Sequence, residues 1–159
     1  MKPDSEKSSM LDNESEEFVT VRIADQLFGL PIEQVQDVFI PEAITSVPLS
    51  NPEIAGVLNL RGRIVTAIDM RKRLNLSTRK DENPIMAVGI DHNDESFGLI
   101  IDSVGEVLRL SKKTYEKNPG NLDLRWVGVS AGIQRLENEL MVILDVDKVL
   151  DTQETHQAA

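Results

Sequence analysis

The pentapeptide Gly128-Val129-Ser130-Ala131-Gly132 matches G-x-S-x-G, a pattern that can carry a nucleophilic serine. Such a serine works where a strand turns sharply into a helix, with a histidine and an acid supplied by other parts of the chain. Here the pattern is expected inside a strand, Trp126–Gln134, that runs on into a hairpin, and the only later histidine is His156 in a polar tail. An esterase centred on Ser130 would need a base beside the hydroxyl. The alternative is that small residues fill one corner of a barrel.

The remaining reactive residue types are sparse. The second histidine, His92, sits in the turn sequence Asp91-His92-Asn93-Asp94 and reads as a solvated turn residue. A zinc site needs three or four converging ligands, and the pattern supplies none. Cysteine is absent, which removes disulfides, thiolate ligands and a cysteine nucleophile. Neither a phosphate loop nor G-x-G-x-x-G occurs, so nucleotide chemistry has no support. No cofactor and no metal are expected. Asp69 and Asp145 each stand just before a short predicted helix, where a capping carboxylate explains them better than an acid–base pair.

Charge narrows the partners. The 159 residues carry a net charge of −10, of which residues 1–17 hold −4 and residues 151–159 hold −2. An acidic chain with one Trp, one Tyr and four Phe lacks the clustered cations and stacking aromatics that nucleic acid demands. The local basic cluster Arg71, Lys72, Arg73, Arg79, Lys80 reads as the solvated face of a helix. No apolar run is long enough to insert in a membrane. With no signal-peptide core in Met1–Glu17, a cytoplasmic location is expected.

The elements that must position these residues are mostly strands. Val19, Val21 and Ile23 alternate with polar neighbours, the period of a half-buried strand. Similar runs occupy Ile85–Ile90, Phe97–Ile101, Val104–Leu110, Trp126–Gln134 and Leu140–Val146, separated by turn-forming residues. Helix is expected only in short pieces: Pro52–Ala55 behind an Asn51 cap, Met70–Leu74, Lys112–Lys117 and Val146–Leu150. Residues 1–16 and 153–159 are expected to be disordered tails around one folded unit, residues 17–152.

The chain also repeats itself. Phe28-Gly29-Leu30 through Val35, Asp37 and Val38 recurs 69 residues later as Phe97-Gly98-Leu99 through Val104, Glu106 and Val107. Gly56-Val57 and Ile64–Asp69 recur 76 residues later as Gly132-Ile133 and Leu140–Asp145. Two matches in the same order imply a duplication and two similar β-lobes. About seven extra residues enter the second copy, assigned to Ser111–Arg125. The duplication sets Arg61-Gly62 opposite Glu137-Asn138. Gly62 and Asn138 are both explained as positive-φ residues of tight hairpin turns. Arg61 is left with two readings, a docking contact on a rigid tip or a solvated surface cation.

The segment Gly56-Val57-Leu58-Asn59-Leu60-Arg61-Gly62-Arg63-Ile64-Val65, followed by Asp69-Met70-Arg71, resembles the G-x-x-N-L-R-G-x-I signature of the CheW family. Phe28-Gly29-Leu30-x-Ile32-x-x-Val35 and Ile44-Thr45-x-Val47-Pro48 resemble the family's opening strand pair and the connection after it. The resemblance covers about residues 17–152. It implies an all-β fold of two tandem five-stranded SH3-like barrels packed together, with short helices. It further implies a non-enzymatic chemotaxis adaptor, cytoplasmic and recruited to membrane receptor arrays. Its partners would be the cytoplasmic tip of methyl-accepting receptors and the regulatory domain of the histidine kinase CheA. By position, the receptor groove would comprise Val35, Asp37, Val38, Arg61, Gly62 and Ile64. Asp37 stands where Glu is usual, which shortens its reach, and Thr66 stands where Pro is common, which touches the expected edge geometry. The kinase-binding surface is not placed by the resemblance. A CheW-like regulatory piece of a chemosensory kinase or CheV-type protein is the alternative; 159 residues leave no room for an ATPase or receiver domain beside it.

Overall fold

The structure is a computed structural model and describes residues 14–77 and 84–151. Arg79, Lys80, His156 and the outer parts of the expected tails lie outside the described residues, but Ser15 and Glu16, expected in the N-terminal tail, open a strand because they pair with Ser111 and Leu110. Eleven strands form: β1 Ser15–Ile23, β2 Gln26–Pro31, β3 Val35–Phe39, β4 Ile54–Leu60, β5 Arg63–Asp69, β6 Met86–His92, β7 Glu95–Ile101, β8 Ser103–Ser111, β9 Tyr115–Glu116, β10 Ser130–Arg135 and β11 Leu140–Leu144. Among the described residues, three short helices are complete: α1 Met70–Arg73, α2 Leu124–Val127 and α3 Val146–Leu150.

The strands sort into two sheets. Lobe I has the order β3-β6-β7-β5-β4, and lobe II the order β8-β1-β2-β11-β10-β9. The duplication is written into their registers. In lobe II, Phe28 of β2 pairs in parallel with Val142 of β11; 69 and 76 residues away, Phe97 of β7 pairs with Thr66 of β5 in lobe I. Bulges repeat too, between Ser130 and Gly132 in β10 and between Ile54 and Gly56 in β4.

The copies are not lobes, however. Each sheet combines the first two strands of one copy with the later strands of the other. Lobe II joins β1 and β2 to β8, β10 and β11, while lobe I joins β6 and β7 to β3, β4 and β5. The expected tandem arrangement is therefore interleaved. The parallel β2–β11 and β5–β7 pairs explain it, because parallel neighbours need a long crossover rather than a hairpin.

Alternation along the strands gives each sheet two apolar faces. Val19, Val21, Ile23, Phe28 and Leu30 of lobe II meet Val88, Ile90, Phe97, Leu99 and Ile101 of lobe I in one shared core. The opposite faces hold smaller clusters, Phe18, Leu27, Met141 and Ile143 in lobe II and Leu58, Val65 and Ala67 in lobe I. Burying each large side chain contributes about 1.5–3 kcal/mol, so the shared core is the main attachment between lobes. Trp126 closes it, edge-on to Phe28 with centroids 5.2 Å apart.

Several expected elements differ. Pro52–Ala55 is a turn running into β4, not a helix: Ile54 N–H donates to Asn51 O, and Asp69 N–H already holds Glu53 O in the ladder. Lys112–Thr114 forms one 3₁₀ turn before β9 pairs with β10. The expected strand from Trp126 begins only at Ser130, because Asp123 caps α2 by accepting Arg125 N–H at 2.9 Å. β9 lies in Ser111–Arg125, the stretch to which the seven additional residues are assigned, and α2 begins at its end. β5 lies between β7 and β4, so Thr66 is on an inner strand and touches no edge.

Candidate functional site

Site geometry begins with the turn between β4 and β5. Arg61 and Gly62 both have positive φ, 54° and 83°, the conformation of a two-residue type I′ hairpin. An arginine is an unfavourable occupant there, and Asn59 supports it: its Oδ1 accepts Gly62 N–H at 2.9 Å. That bond is the physical reason for the Asn in Asn59-Leu60-Arg61-Gly62. It presents Arg61 on a fixed tip, with its side chain 74% exposed.

Arg61 reaches back to the other edge of the curled sheet. Its Nη1 lies 2.5 Å from Asp37 Oδ2 on β3, so the shorter carboxylate still spans the gap. A bulge between Val35 and Asp37 decides which way each β3 side chain faces. Val38 opposes Val88 and Val35 opposes Ile90, both on the shared-core face, whereas Asp37 opposes Gly89 on the other. Ile64 shares the face of Val35 and Val38 by the ladder register. Val35 packs on the core, while Val38 and Ile64 remain 39% and 66% exposed. The six expected residues thus divide between the two faces of the sheet, with the Asp37–Arg61 pair and its Gly62 turn at the recess and Val35, Val38 and Ile64 on the shared-core face.

A second pair was not anticipated. Arg63 Nη2 donates to Asp91 Oδ1 at 3.0 Å and also bonds Ser96. With Asp37 and Arg61 it rims a recess of about 160 Å³ floored by Phe39, Leu60 and Val65. The signal available was the two-residue turn itself, which sets Arg63 directly opposite Leu60 and so on the face of the recess floor.

Elsewhere the structure revises the candidate chemistry. Ser130 is fully buried; its hydroxyl lies 2.5 Å from Asn118 Oδ1 and accepts Gly132 N–H at 3.0 Å. His92 ends β6 rather than sitting in the turn, and its Nε2 lies 3.3 Å from Asp147 Oδ1 on α3. Asp69 and Asp145 cap α1 and α3 through backbone N–H groups. Asn138 has no positive φ, so its turn, closed by Leu136 N–H to Glu139 O, is not the counterpart expected for Gly62.

The basic helix is not a solvated face either. Arg71 grips Asp102 with two nitrogens, at 3.0 and 2.6 Å, both side chains only 18% exposed. Asp102 also accepts Ala24 N–H of the β1–β2 turn, which ties the lobes. Arg73 donates to the carbonyls of Val149 and Lys148 at the end of α3, and burial lowers its pKa from the usual guanidinium value. No group of three or more metal-binding side chains occurs among the described residues.

The family model for the CheW-like domain matches residues 17–154. This chain belongs to the CheW-like domain family. The CheW-like domain is 28% identical over 143 residues to a chemotaxis protein CheW of Bacillus subtilis, covering 90% of this chain and 92% of the relative. It is also 28% identical over 144 residues to a CheW of Helicobacter pylori, covering 90% of this chain and 87% of that relative. Among solved structures it resembles the scaffolding protein TtCheW of Thermoanaerobacter tengcongensis, with a TM-score of 0.73 and 27% identity over 82% of this chain and 88% of that one.

Proposed function

We propose that this protein is a chemotaxis adaptor that couples methyl-accepting receptors to the histidine kinase CheA. The observation that carries the reading is the Asp37–Arg61 pair on a fixed hairpin tip, beside the exposed apolar margin of Val38 and Ile64. An amphipathic helical hairpin would straddle this margin of the sheet, its apolar face on Val35, Val38 and Ile64 and its polar flank reaching over the tip to Asp37, Arg61 and the Gly62 backbone. The family membership supports the adaptor role, and the names of the relatives support the pathway. CheA would engage through its regulatory domain on a separate surface, and the folded unit, which β1 extends back to Ser15, would be the working part of the chain. The adaptor works without turnover, consistent with Ser130 being buried and engaged. It acts in the cytoplasm, recruited to receptor arrays.

Arg61→Glu tests the site. Co-sedimentation with receptor-containing membranes is expected to fall by about tenfold, as loss and reversal of one docking charge implies, while the thermal melt stays unchanged. Binding that persists at the wild-type level in a folded variant would overturn the assignment of the groove.

A further inference from the structure

Carrying the lobe I recess along the duplication lands on a second recess in lobe II. Asp37 maps to Glu106, Arg61 to Glu137, Arg63 to Glu139 and Asp91 to Arg22, while Phe39 and Leu60 of the floor map to Leu108 and Leu136. The second recess is larger, about 670 Å³ against 160 Å³. Leu108 in place of the bulkier Phe39 accounts for part of that difference.

The rim charges tell the two apart. One ion pair survives with its signs exchanged: Arg63–Asp91 in lobe I becomes Glu139–Arg22, at 2.6 Å, in lobe II. The other pair does not survive. Asp37–Arg61 becomes Glu106 and Glu137, both exposed and neither paired with a cation among the described residues. Lobe I supplies its own cation at this position. Lobe II holds two acids over a leucine floor, and the two arginines that line the recess are engaged by other acids, Arg22 by Glu139 and Arg135 by Glu116, each at 2.6 Å.

We propose that the lobe II recess is a second docking groove, for a protein segment that carries an arginine or lysine flanked by aliphatic side chains. The incoming cation would take the place against Glu106 and Glu137 that Arg61 takes against Asp37, and its neighbours would cover Leu27, Leu108 and Leu136. The internal pair of lobe I shows that this rim geometry accommodates a guanidinium. The groove lies on the opposite lobe from the proposed receptor margin, so it stands or falls separately from that reading.

The probe is the pentapeptide Leu-Arg-Gly-Arg-Ile, with Leu-Glu-Gly-Glu-Ile as its acidic counterpart, titrated into the full chain and followed by amide NMR shifts. The expected result is saturable shifts confined to Leu108, Leu136, Glu137 and Asn138 with the basic peptide and none with the acidic one. The Glu106→Gln, Glu137→Gln double variant, folded by its amide spectrum, should bind about tenfold more weakly or less, because two charge contacts are removed. Raising salt to about 1 M should weaken the wild type likewise. Shifts that map elsewhere, fail to appear, or survive the double variant would overturn the proposal. Should unlabelled full chain produce the same shifts, and lose them on Arg61→Glu, the occupant is a second copy and the separate partner is overturned.

Discussion

The two hairpin tips, Leu60-Arg61-Gly62-Arg63 and Leu136-Glu137-Asn138-Glu139, occupy one position in a duplicated chain and have become opposites. The first is a two-residue turn with both φ values positive and an arginine held against an aspartate. The second reverses without positive φ and presents glutamates without a matching cation at Glu137. Beneath them the ladders remain superimposable, down to the parallel pairing of Phe28 with Val142 and Phe97 with Thr66. A one-residue slip in a strand buried on one face would turn its whole apolar set to the wrong side. Register is therefore held, while rim residues facing water are free to change sign.

Four measurements can break or sharpen this contrast. The largest effect is expected at the equivalent bulge glycines. A Cβ on Gly56 would run into Thr45 O, which is backbone, whereas one on Gly132 would meet the Tyr115 ring, a side chain that can swing outward. Both positions have φ near +150°, so both alanine variants are strained. Gly56→Ala should lose about 3 kcal/mol and Gly132→Ala about 2 in urea unfolding. Equal losses would show that the two bulges are walled alike.

Next comes the tie between lobes. Asp102→Ala strips a bidentate arginine and a backbone N–H of their acceptor and should cost about 2 kcal/mol. Asp147→Ala, at the position in α3 that matches Arg71, removes an 80%-exposed partner of His92 and should cost below about 0.5 kcal/mol. A reversed ranking would relocate the tie. Smaller still, Arg61→Ala should change stability by less than about 0.5 kcal/mol, because the arginine it removes is 74% exposed and Asp37 keeps a second contact with Val38 N–H. A larger loss in the melt would make Arg61 structural.

The smallest effect concerns Asp123, which has no capping counterpart in the first copy. Its hydrogen bonds from the Arg125 side chain and N–H hold its carboxyl down to about 2, below the ordinary 3.8. Because the folded value is depressed, the stabilisation is complete above about 3.8 and lost as pH falls towards 2. A carboxyl NMR titration with its midpoint near 4 would show that this pairing does not persist in solution.

Much of this was legible in the residues. Period-two alternation located β6, β7, β8 and β11 within a few positions, and Asp69 and Asp145 announced their helices as caps. The interleaving was not legible, because apolar alternation says which face is buried and nothing about which strand lies alongside. The short helix at Trp126 was missed since Leu124-Arg125-Trp126-Val127 suits a strand until Asp123 is recognised as its cap. Arg71 and Arg73 looked like solvated charges because their partners, Asp102 and the end of α3, lie far off in sequence. At the site, the motif pointed to Arg61, but its pairing with Asp37 depends on sheet edges that only curvature brings together.

The interleaved sheets carry a consequence for the order in which the protein can be made. β2 lies between β1 and β11, so the hairpin that leaves the ribosome early keeps one flank open until nearly the last strand has been synthesised. Lobe I, whose strands run without interruption from β3 to β7, can close while translation continues; lobe II must wait. A released fragment ending at Ser111 should therefore already protect the amides of β5 and β7 from exchange and leave the amides of β2 that face β11 fast, since their partner strand is missing.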